Sequence, residues 1–291
     1  MPAVVMSGAP VADNVLASVG VGVERLAAAG KTVGLGTVLV GDDPASVHYV
    51  SRKHEVCQQF GIGSFDVRIP ATARQADLLQ AVDQLNEDQA VDGFLIQNPV
   101  PAGFDYAEAL ARVDPAKDVD GLHPVNLGYL TLGERSHPRP CTPLGIQAML
   151  EYYGVPLEGR SVVVVGRGPT LGRPLALLLS LKEPGANAAV TVVHTGVKDW
   201  AEYTRRADIV VGAAGVPNMI TPDVVARGSC VVGGGLTWEG KRVISDVDER
   251  CAEVAGWVTP RLGGVGVTTV AMLLRNTVAA AEVSLGLEPP P

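Results

Sequence analysis

The stretch "RSVVVVGRGPTLGRPLALLL", residues 160–179, joins two apolar segments through a glycine-rich turn. The first segment has the β-branched residues of a buried strand, and the second is long enough for a helix. Gly166, Gly168 and Gly172 lie between them. Such glycines let a backbone approach a pyrophosphate, which also binds the amides at the helix N-terminus. The stretch therefore predicts a dinucleotide-binding unit. Its spacing is GxGxxxG rather than GxGxxG, so a turn that merely joins strand to helix is the alternative for this pattern alone.

The residues after the next strand indicate which dinucleotide is bound. A carboxylate at that point would bind the ribose 2′-hydroxyl of NAD. Here the strand "AVTVVH" ends at His194 and is followed by Thr195, without a carboxylate. A neutral hydroxyl there, together with Arg167 in the turn, would accommodate a 2′-phosphate. The sequence therefore predicts NADP rather than NAD.

Strand-like and helix-like segments alternate along the whole chain, which is typical of α/β proteins with parallel sheets. We expect two domains, with limits at 1–143 and 144–269, and a C-terminal helix, 270–291, that completes the first domain. Residues 114–145 read as a long irregular segment. Thr142 is expected to cap the next helix, with Pro143 at its first position and Gly154 at its end. The predicted segments are strands 32–41, 64–70, 91–101, 161–165, 189–194, 207–215, 229–235 and 242–248, and helices 42–61, 72–88, 171–182, 198–206 and 268–286.

Composition limits the functional class. The chain has 291 residues, a formal net charge of −8 and no evident basic face, which argues against a nucleic-acid partner. The cysteines form no CxxC pair and the histidines no HxxxH pair, so we expect reduced thiols and no bound metal. The N-terminus lacks a basic segment before its apolar stretch, and we expect no membrane span. These features together predict a cytoplasmic protein that acts on a small molecule.

Four polar residues of the first domain are candidates for a site. Tyr49 and Lys53 are four residues apart, on one face of a predicted helix. Gln97 ends a predicted strand, and Asp120 lies in the irregular segment. Because strand ends and the loops beyond them line the ligand crevice of an α/β sheet, these side chains could converge. Each also has an ordinary explanation: a solvated lysine beside a half-buried tyrosine, a loop-capping glutamine and an Asx turn.

Taken together, these motifs resemble one family over nearly the whole chain. It is the bifunctional methylenetetrahydrofolate dehydrogenase/methenyltetrahydrofolate cyclohydrolase family of the FolD type. The matching motifs occur in that family's order: "YVSRK", "DGFLIQNPVP", "DPAKDVDGLHPVNLG", "PCTPLG", "VVVVGRGPTLGRPLALLL", "HTG", "ADIVVGAAGVP" and "GGVG" with "TVAMLLRNT".

The resemblance implies an enzyme of one-carbon metabolism, which also serves purine biosynthesis. It implies a homodimer whose subunits have an N-terminal folate-side catalytic domain and a C-terminal Rossmann-type NADP domain, with the active site in the cleft between them. The enzyme would oxidise 5,10-methylenetetrahydrofolate to 5,10-methenyltetrahydrofolate with NADP. It would then hydrolyse the product to 10-formyltetrahydrofolate.

The family pattern also assigns roles to residues. Lys53 would be the general acid/base of the hydrolysis, and Tyr49 would lie against the folate ring system. Gln97 would hold Lys53, and Asp120 would bind the pterin. The positions that match the family's NADP contacts are Gly166, Arg167, Gly168, Thr195 and the backbone around Leu236.

Three positions depart from the family pattern. Gly233 stands where the family has an aspartate, and Leu262 and Val267 stand where it has prolines. Extra glycine and lost proline loosen the unfolded chain rather than remove a reacting group. The alternatives are therefore a paralogue in which one activity, most plausibly the dehydrogenase, is weakened, or a non-catalytic dinucleotide-binding protein.

Overall fold

A computed structural model describes residues 2–239 and 242–287, and these divide into two compact units. The first unit comprises the described residues of Asn14–Tyr129, Arg135–Cys141 and Leu273–Pro291. The second comprises those of Met1–Asp13, Leu130–Glu134 and Thr142–Met272. The predicted domain limits place the chain start in the first domain, whereas residues up to Asp13 belong to the second unit here.

The strands are β1 (Val4–Val5), β2 (Gly34–Val40), β3 (Gly63–Ile69), β4 (Gly93–Ile96), β5 (Ser161–Val165), β6 (Ala189–Val193), β7 (Ile209–Gly212), β8 (Cys230–Gly233), β9 (Leu236–Glu239), β10 (Arg242–Ser245) and β11 (Trp257–Val258). The α-helices are α1 (Ala9–Ala28), α2 (Pro44–Gln59), α3 (Gln75–Glu87), α4 (Tyr106–Arg112), α5 (Pro124–Leu132), α6 (Cys141–Tyr152), α7 (Gly172–Ser180), α8 (Ala201–Thr204) and α9 (Val265–Ser284).

The first unit contains a parallel sheet in the order β3-β2-β4. Every residue of β2 is buried, which is typical of a parallel strand covered on both faces. The chain leaves β2 toward β3 on one side, and β4 lies on the other side. The order of strands thus reverses at β2, and ligands of open α/β sheets bind outside the carboxyl ends of the strands at such a point.

Helix α2 starts at this edge of the sheet. Its N-cap residue, Asp43, accepts a hydrogen bond from the Ser46 amide at 2.9 Å, and Pro44 occupies the first turn. Both features suit a helix start, because the cap satisfies a free amide and proline needs no donor there. The helix carries Tyr49 and Lys53, so its start fixes where these side chains lie.

The second unit contains a six-stranded parallel sheet in the order β1-β11-β8-β7-β5-β6. Within it, β6-β5-β7-β8-β11 is the doubly wound order 2-1-3-4-5, which reverses between β5 and β7. Val162 and Val164 belong to one buried cluster, and Val163 and Val165 to another. Alternate residues of β5 therefore face opposite sides of the sheet, and apolar side chains cover both. The predicted two-unit α/β architecture is confirmed.

Two predictions between residues 114 and 154 need correction. The segment predicted to be irregular contains α5, and α6 begins at Cys141, so Thr142 lies inside that helix rather than at its cap. The start of α6 depends on a distant contact, since the Cys141 amide donates to the Asp120 carbonyl at 3.2 Å. Gly154 ends this helix as predicted, with a φ of +64°.

The predicted strand 242–248 is shorter than expected and does not belong to the large parallel sheet. Its first residues form β10, which pairs antiparallel with β9 as a separate two-stranded sheet. Residues 240 and 241 between these strands lie outside the described part. Three strands went unpredicted: β9, and β1 and β11, which are two residues long and pair with each other at one end of the large sheet. Helices α1 and α4 also went unpredicted. In the ranges that the structure describes, no helix has the length and apolar character needed to cross a membrane.

Candidate functional site

Lys53 and Gln97 meet at the carboxyl edge of the first unit's sheet. The Lys53 Nζ donates a hydrogen bond to the Gln97 Oε1 at 2.8 Å. Gln97 directly follows β4, and its own Nε2 donates to the Asn98 carbonyl at 2.9 Å, which orients the amide. Tyr49 is one helical turn before Lys53 and is half-buried. The structure thus brings together an amine and an amide that are 44 residues apart in the sequence.

Burial sets the protonation of this cluster. Removal from water lowers the pKa of Lys53, and the negative charge of Asp120 opposes that effect. Burial likewise raises the pKa of Asp120, against the effect of the Lys53 charge. Burial also raises the pKa of the Tyr49 phenol. Both members of the Lys53–Asp120 pair are therefore shifted toward their neutral forms, and a lysine shifted this way is suited to exchange a proton near neutral pH.

Changing Asp120 to asparagine is expected to lower the pKa of Lys53 further. The substitution removes the carboxylate charge that stabilises the ammonium, while the burial that destabilises it remains. The pKa can be followed by NMR of the lysine Nζ during a pH titration. Asp114→Asn is the matched control, because Asp114 is exposed and is not among the groups that shift Lys53. A Lys53 pKa that stays the same or rises in Asp120→Asn would contradict this account.

The sequence reasoning missed two residues that hold the backbone beside Asp120. The Cys141 Sγ donates to the Val119 carbonyl at 3.2 Å and also hydrogen-bonds the Asp120 side chain. The Asn276 Nδ2 donates to the same Val119 carbonyl at 2.9 Å. The signals were present in "PCTP" and "RNT", but neither motif indicates by itself which backbone group it contacts.

In the second unit, the glycine turn follows the central strand at the point where the strand order reverses. Gly166 has a φ of +128°, and a Cβ there would lie 2.2 Å from the Ala213 carbonyl oxygen. A Cβ on Gly172 would lie 2.4 Å from the Gly166 carbonyl oxygen. A Cβ on Gly168 would meet nothing within 4 Å. Gly166 and Gly172 are thus required by close backbone packing, whereas the backbone at Gly168 is open to a ligand.

Arg167 lies in the glycine turn after β5, and its side chain extends to His194, which directly follows β6. Arg167 is exposed, and its Nη1 lies 3.3 Å from the His194 Nε2. Thr195 follows and is exposed. Leu236 is half-buried and begins β9. The Arg167 guanidinium therefore reaches the end of β6, which Thr195 follows, and a guanidinium and a hydroxyl placed at a helix start in this way fit the phosphates of a dinucleotide.

A further buried carboxylate, which the sequence reasoning also missed, supports this edge. The Asp246 Oδ2 accepts hydrogen bonds from the amides of Ala214 at 2.9 Å and Gly215 at 3.2 Å. These residues follow β7, the strand beside the glycine turn. Burial raises the pKa of Asp246, and these amide donors oppose the rise. The carboxylate thereby fixes the loop after β7.

The three departures from the family pattern have different surroundings. A Cβ on Gly233 would lie 2.3 Å from the Ser245 Oγ, so Ser245 occupies the space that a side chain at 233 needs. Val267 has its Cγ2 2.6 Å from the Cβ position of Gly8, where a glycine makes room for it. Leu262 is exposed, and nothing in the structure explains it.

Comparison with known proteins identifies both halves of the chain. The catalytic domain of the tetrahydrofolate dehydrogenase/cyclohydrolase family matches residues 6–120, and the NAD(P)-binding domain of that family matches residues 140–285. The bifunctional protein FolD of Syntrophotalea carbinolica is 58% identical over 282 residues, which cover 97% of each chain.

Solved structures agree with these matches. The bifunctional FolD enzyme of Campylobacter jejuni superposes with a TM-score of 0.91 at 37% identity, over 96% of this chain and 99% of that one. The FolD of Trypanosoma brucei, solved with NADP cofactor and an inhibitor, has a TM-score of 0.91 at 35% identity, over 98% and 99% of the two chains. With its domains in the family's order, the chain belongs to the tetrahydrofolate dehydrogenase/cyclohydrolase family.

Proposed function

We propose that this chain oxidises 5,10-methylenetetrahydrofolate to 5,10-methenyltetrahydrofolate with NADP and hydrolyses that product to 10-formyltetrahydrofolate. The chain belongs to a family of bifunctional enzymes that have both dehydrogenase and cyclohydrolase activity. The observation that carries our assignment of residues is the 2.8 Å hydrogen bond between Lys53 and Gln97, beside Asp120. It supports a partly buried amine whose lowered pKa suits the proton transfers of the hydrolytic step.

The two reactions require different roles of the folate-side residues: positioning of the substrate in the oxidation and proton transfer in the hydrolysis. In the oxidation, NADP accepts a hydride from the methylene bridge. The lone pairs of the two folate nitrogens stabilise the resulting cation, so Tyr49 and Asp120 need only hold the ring system in place. In the hydrolysis, water adds to the cation and the ring opens, and both events move protons. Lys53 takes and returns these protons, while Gln97 fixes the position of its Nζ.

The dinucleotide is assigned to Gly166, Arg167, Gly168, Thr195 and Leu236. The open backbone at Gly168 supports contact with the pyrophosphate, and the position of Arg167 beside His194 supports contact with the 2′-phosphate. We also propose the domain assignment 1–143 with 270–291 for folate and 144–269 for NADP. The homodimer and the cytoplasmic location stay predictions, the first open to sedimentation analysis and the second to cell fractionation.

Both activities can be measured with one substrate. The assay follows NADPH formation from methylenetetrahydrofolate and, separately, the loss of methenyltetrahydrofolate absorbance, with NADP and NAD compared side by side. We expect both signals, with NADP preferred. Hydrolysis without reduction would instead favour the paralogue with a weakened dehydrogenase. Tight NADPH binding with neither reaction would favour a non-catalytic protein.

Changing Arg167 to glutamine is expected to reduce the preference for NADP over NAD by about 10- to 100-fold. The lost contact is a charged hydrogen bond to phosphate, for which about 1.5–3 kcal/mol is typical and 1.4 kcal/mol corresponds to tenfold. The measurement is the ratio of kcat/KM with the two dinucleotides. Arg205→Gln is the matched control, since Arg205 is also exposed in the second unit but donates to the Asp223 carbonyl. An unchanged ratio in Arg167→Gln would show the assignment to be wrong.

A further inference from the structure

A second carboxylate of the "KDVDG" motif, Asp118, lies buried inside the turn that carries Asp120. Asp118 is only 2% exposed. Its Oδ1 accepts a hydrogen bond from the Gly121 amide at 3.2 Å, and its Oδ2 accepts one from the His123 amide at 2.7 Å. The Asn126 Nδ2, at the start of α5, donates to the same Oδ2 at 2.9 Å. The chain from 118 to 123 is therefore wrapped around this carboxylate.

The other side of the turn packs on backbone. Gly121 has a φ of +73°, and a Cβ there would lie 2.4 Å from the Arg139 carbonyl carbon and 2.6 Å from the Pro140 nitrogen. The Asp120 carbonyl accepts the Cys141 amide at 3.2 Å. Asp120 thus lies in a turn that is hydrogen-bonded both to the Asp118 carboxylate and to the Cys141 amide.

Burying the Asp118 carboxylate costs desolvation free energy that burying a neutral side chain in this turn would not. Burial raises its pKa to about 6, and none of its three donors is a cation. A buried charge without a cationic partner is retained only where several donors converge on it. Charged acceptors also hold their donors more tightly than neutral ones. These features suit a residue that must keep a neighbouring side chain in one orientation.

We propose that Asp118 is a positioning residue for the folate site: its carboxylate fixes the 118–123 turn so that Asp120 is presented to the substrate. This inference rests on the proposed function, in which Asp120 binds the pterin. Asp118 itself does not touch the reacting atoms. It acts through Asp120, and this indirect action separates it experimentally from a residue that merely stabilises the fold.

The test is a double-mutant cycle on folate binding. An asparagine at 118 keeps the shape but turns one acceptor into a donor, which faces another donor. In Asp118→Asn, the KM for methylenetetrahydrofolate is expected to rise about tenfold, with kcat changed less and NADP affinity unchanged. In an Asp120→Asn background, the same substitution should raise KM by less than about twofold, because the group it positions is already gone. Equal effects in both backgrounds, or no change of KM in Asp118→Asn, would overturn the proposal.

Asp114→Asn is the matched control. It makes the same chemical change in the same segment, but asparagine can keep the hydrogen bond that the Asp114 Oδ1 accepts from the Ala116 amide at 2.9 Å. Its KM should stay at the unsubstituted value. If Asp118→Asn does not fold, as judged by its circular dichroism spectrum, Asn126→Ala decides the matter. It removes one donor to Asp118, so a raised KM supports the proposal and an unmoved KM overturns it.

The outcome for the unsubstituted chain separates the two proposals. If that chain carries out neither reaction, the proposed function fails, and the role of Asp118 fails with it. If it is active but its KM does not respond to Asp118→Asn or Asn126→Ala, only the positioning role fails.

Discussion

Lys53→Met is expected to lower kcat of the cyclohydrolase by about 10²- to 10⁴-fold, which is the usual contribution of a positioned general acid or base. Methionine keeps the length and apolar stem of the side chain but cannot exchange a proton or donate to Gln97. The oxidation of methylenetetrahydrofolate needs no such proton transfer, so its kcat should fall much less. The comparison requires both rates on one preparation of each variant, with the hydrolysis measured on methenyltetrahydrofolate supplied directly.

The control for this substitution is Lys182→Met, at an exposed lysine just beyond α7 in the second unit. Neither rate should change in that variant. Undiminished hydrolysis by Lys53→Met would refute the catalytic role of this lysine. A parallel loss of both rates would point instead to damage of folate binding, which the KM for methylenetetrahydrofolate would reveal.

The local patterns predicted the elements that lie around both sites. The valine run of β5 and the glycines after it are sufficient to predict a strand, a turn and a helix, because burial on both faces and close backbone approach each leave a signature in adjacent residues. The proximity of Lys53 and Gln97 could also be predicted from the sequence. Parallel strands bring their carboxyl ends to one edge, so a polar residue after β4 was expected near the start of α2.

Several of the elements that escaped prediction are stabilised by distant partners. β1 and β11 have two residues each, too few for any period, and they form because Trp257 pairs with Cys230 and Val4 with Trp257. Helix α5 was hidden because "PVNLGYLTL" contains a glycine and β-branched residues, which favour helix weakly. Its Asn126 is fixed from outside the helix by Asp118 and the Pro115 carbonyl.

The candidate site shows the same limit. The sequence singled out Asp120 because the family pattern names it, but the groups that hold it come from three separate segments, at Asp118, Cys141 and Asn276. No spacing rule links these positions. Supporting residues of this kind are visible only when the chain is folded, and they decide how accurately a predicted side chain is presented.

Gly166→Ala is expected to destabilise the second unit strongly. The added Cβ would lie 2.2 Å from the oxygen and 2.5 Å from the carbon of the Ala213 carbonyl, which are backbone atoms and cannot rotate away. The φ of +128° is in addition a conformation that alanine rarely adopts. Such backbone strain costs about 1–3 kcal/mol and overpacking about 1–3 kcal/mol more. The free energy of unfolding of this unit should therefore fall by roughly 2–6 kcal/mol.

Gly168→Ala is the matched control, two residues away in the same turn. Its Cβ would meet nothing within 4 Å, so the free energy of unfolding should change by less than about 1 kcal/mol. Denaturation followed by tryptophan fluorescence reports on this unit, because the tryptophans of the chain are at 200, 238 and 257. NADP affinity should fall in both variants, since each puts a methyl group where backbone approaches the pyrophosphate. If the two variants lose NADP affinity equally but differ in their free energy of unfolding, Gly166 is required by packing and Gly168 by the ligand. Equal stability in the two variants would show that the contact with Ala213 does not constrain the turn.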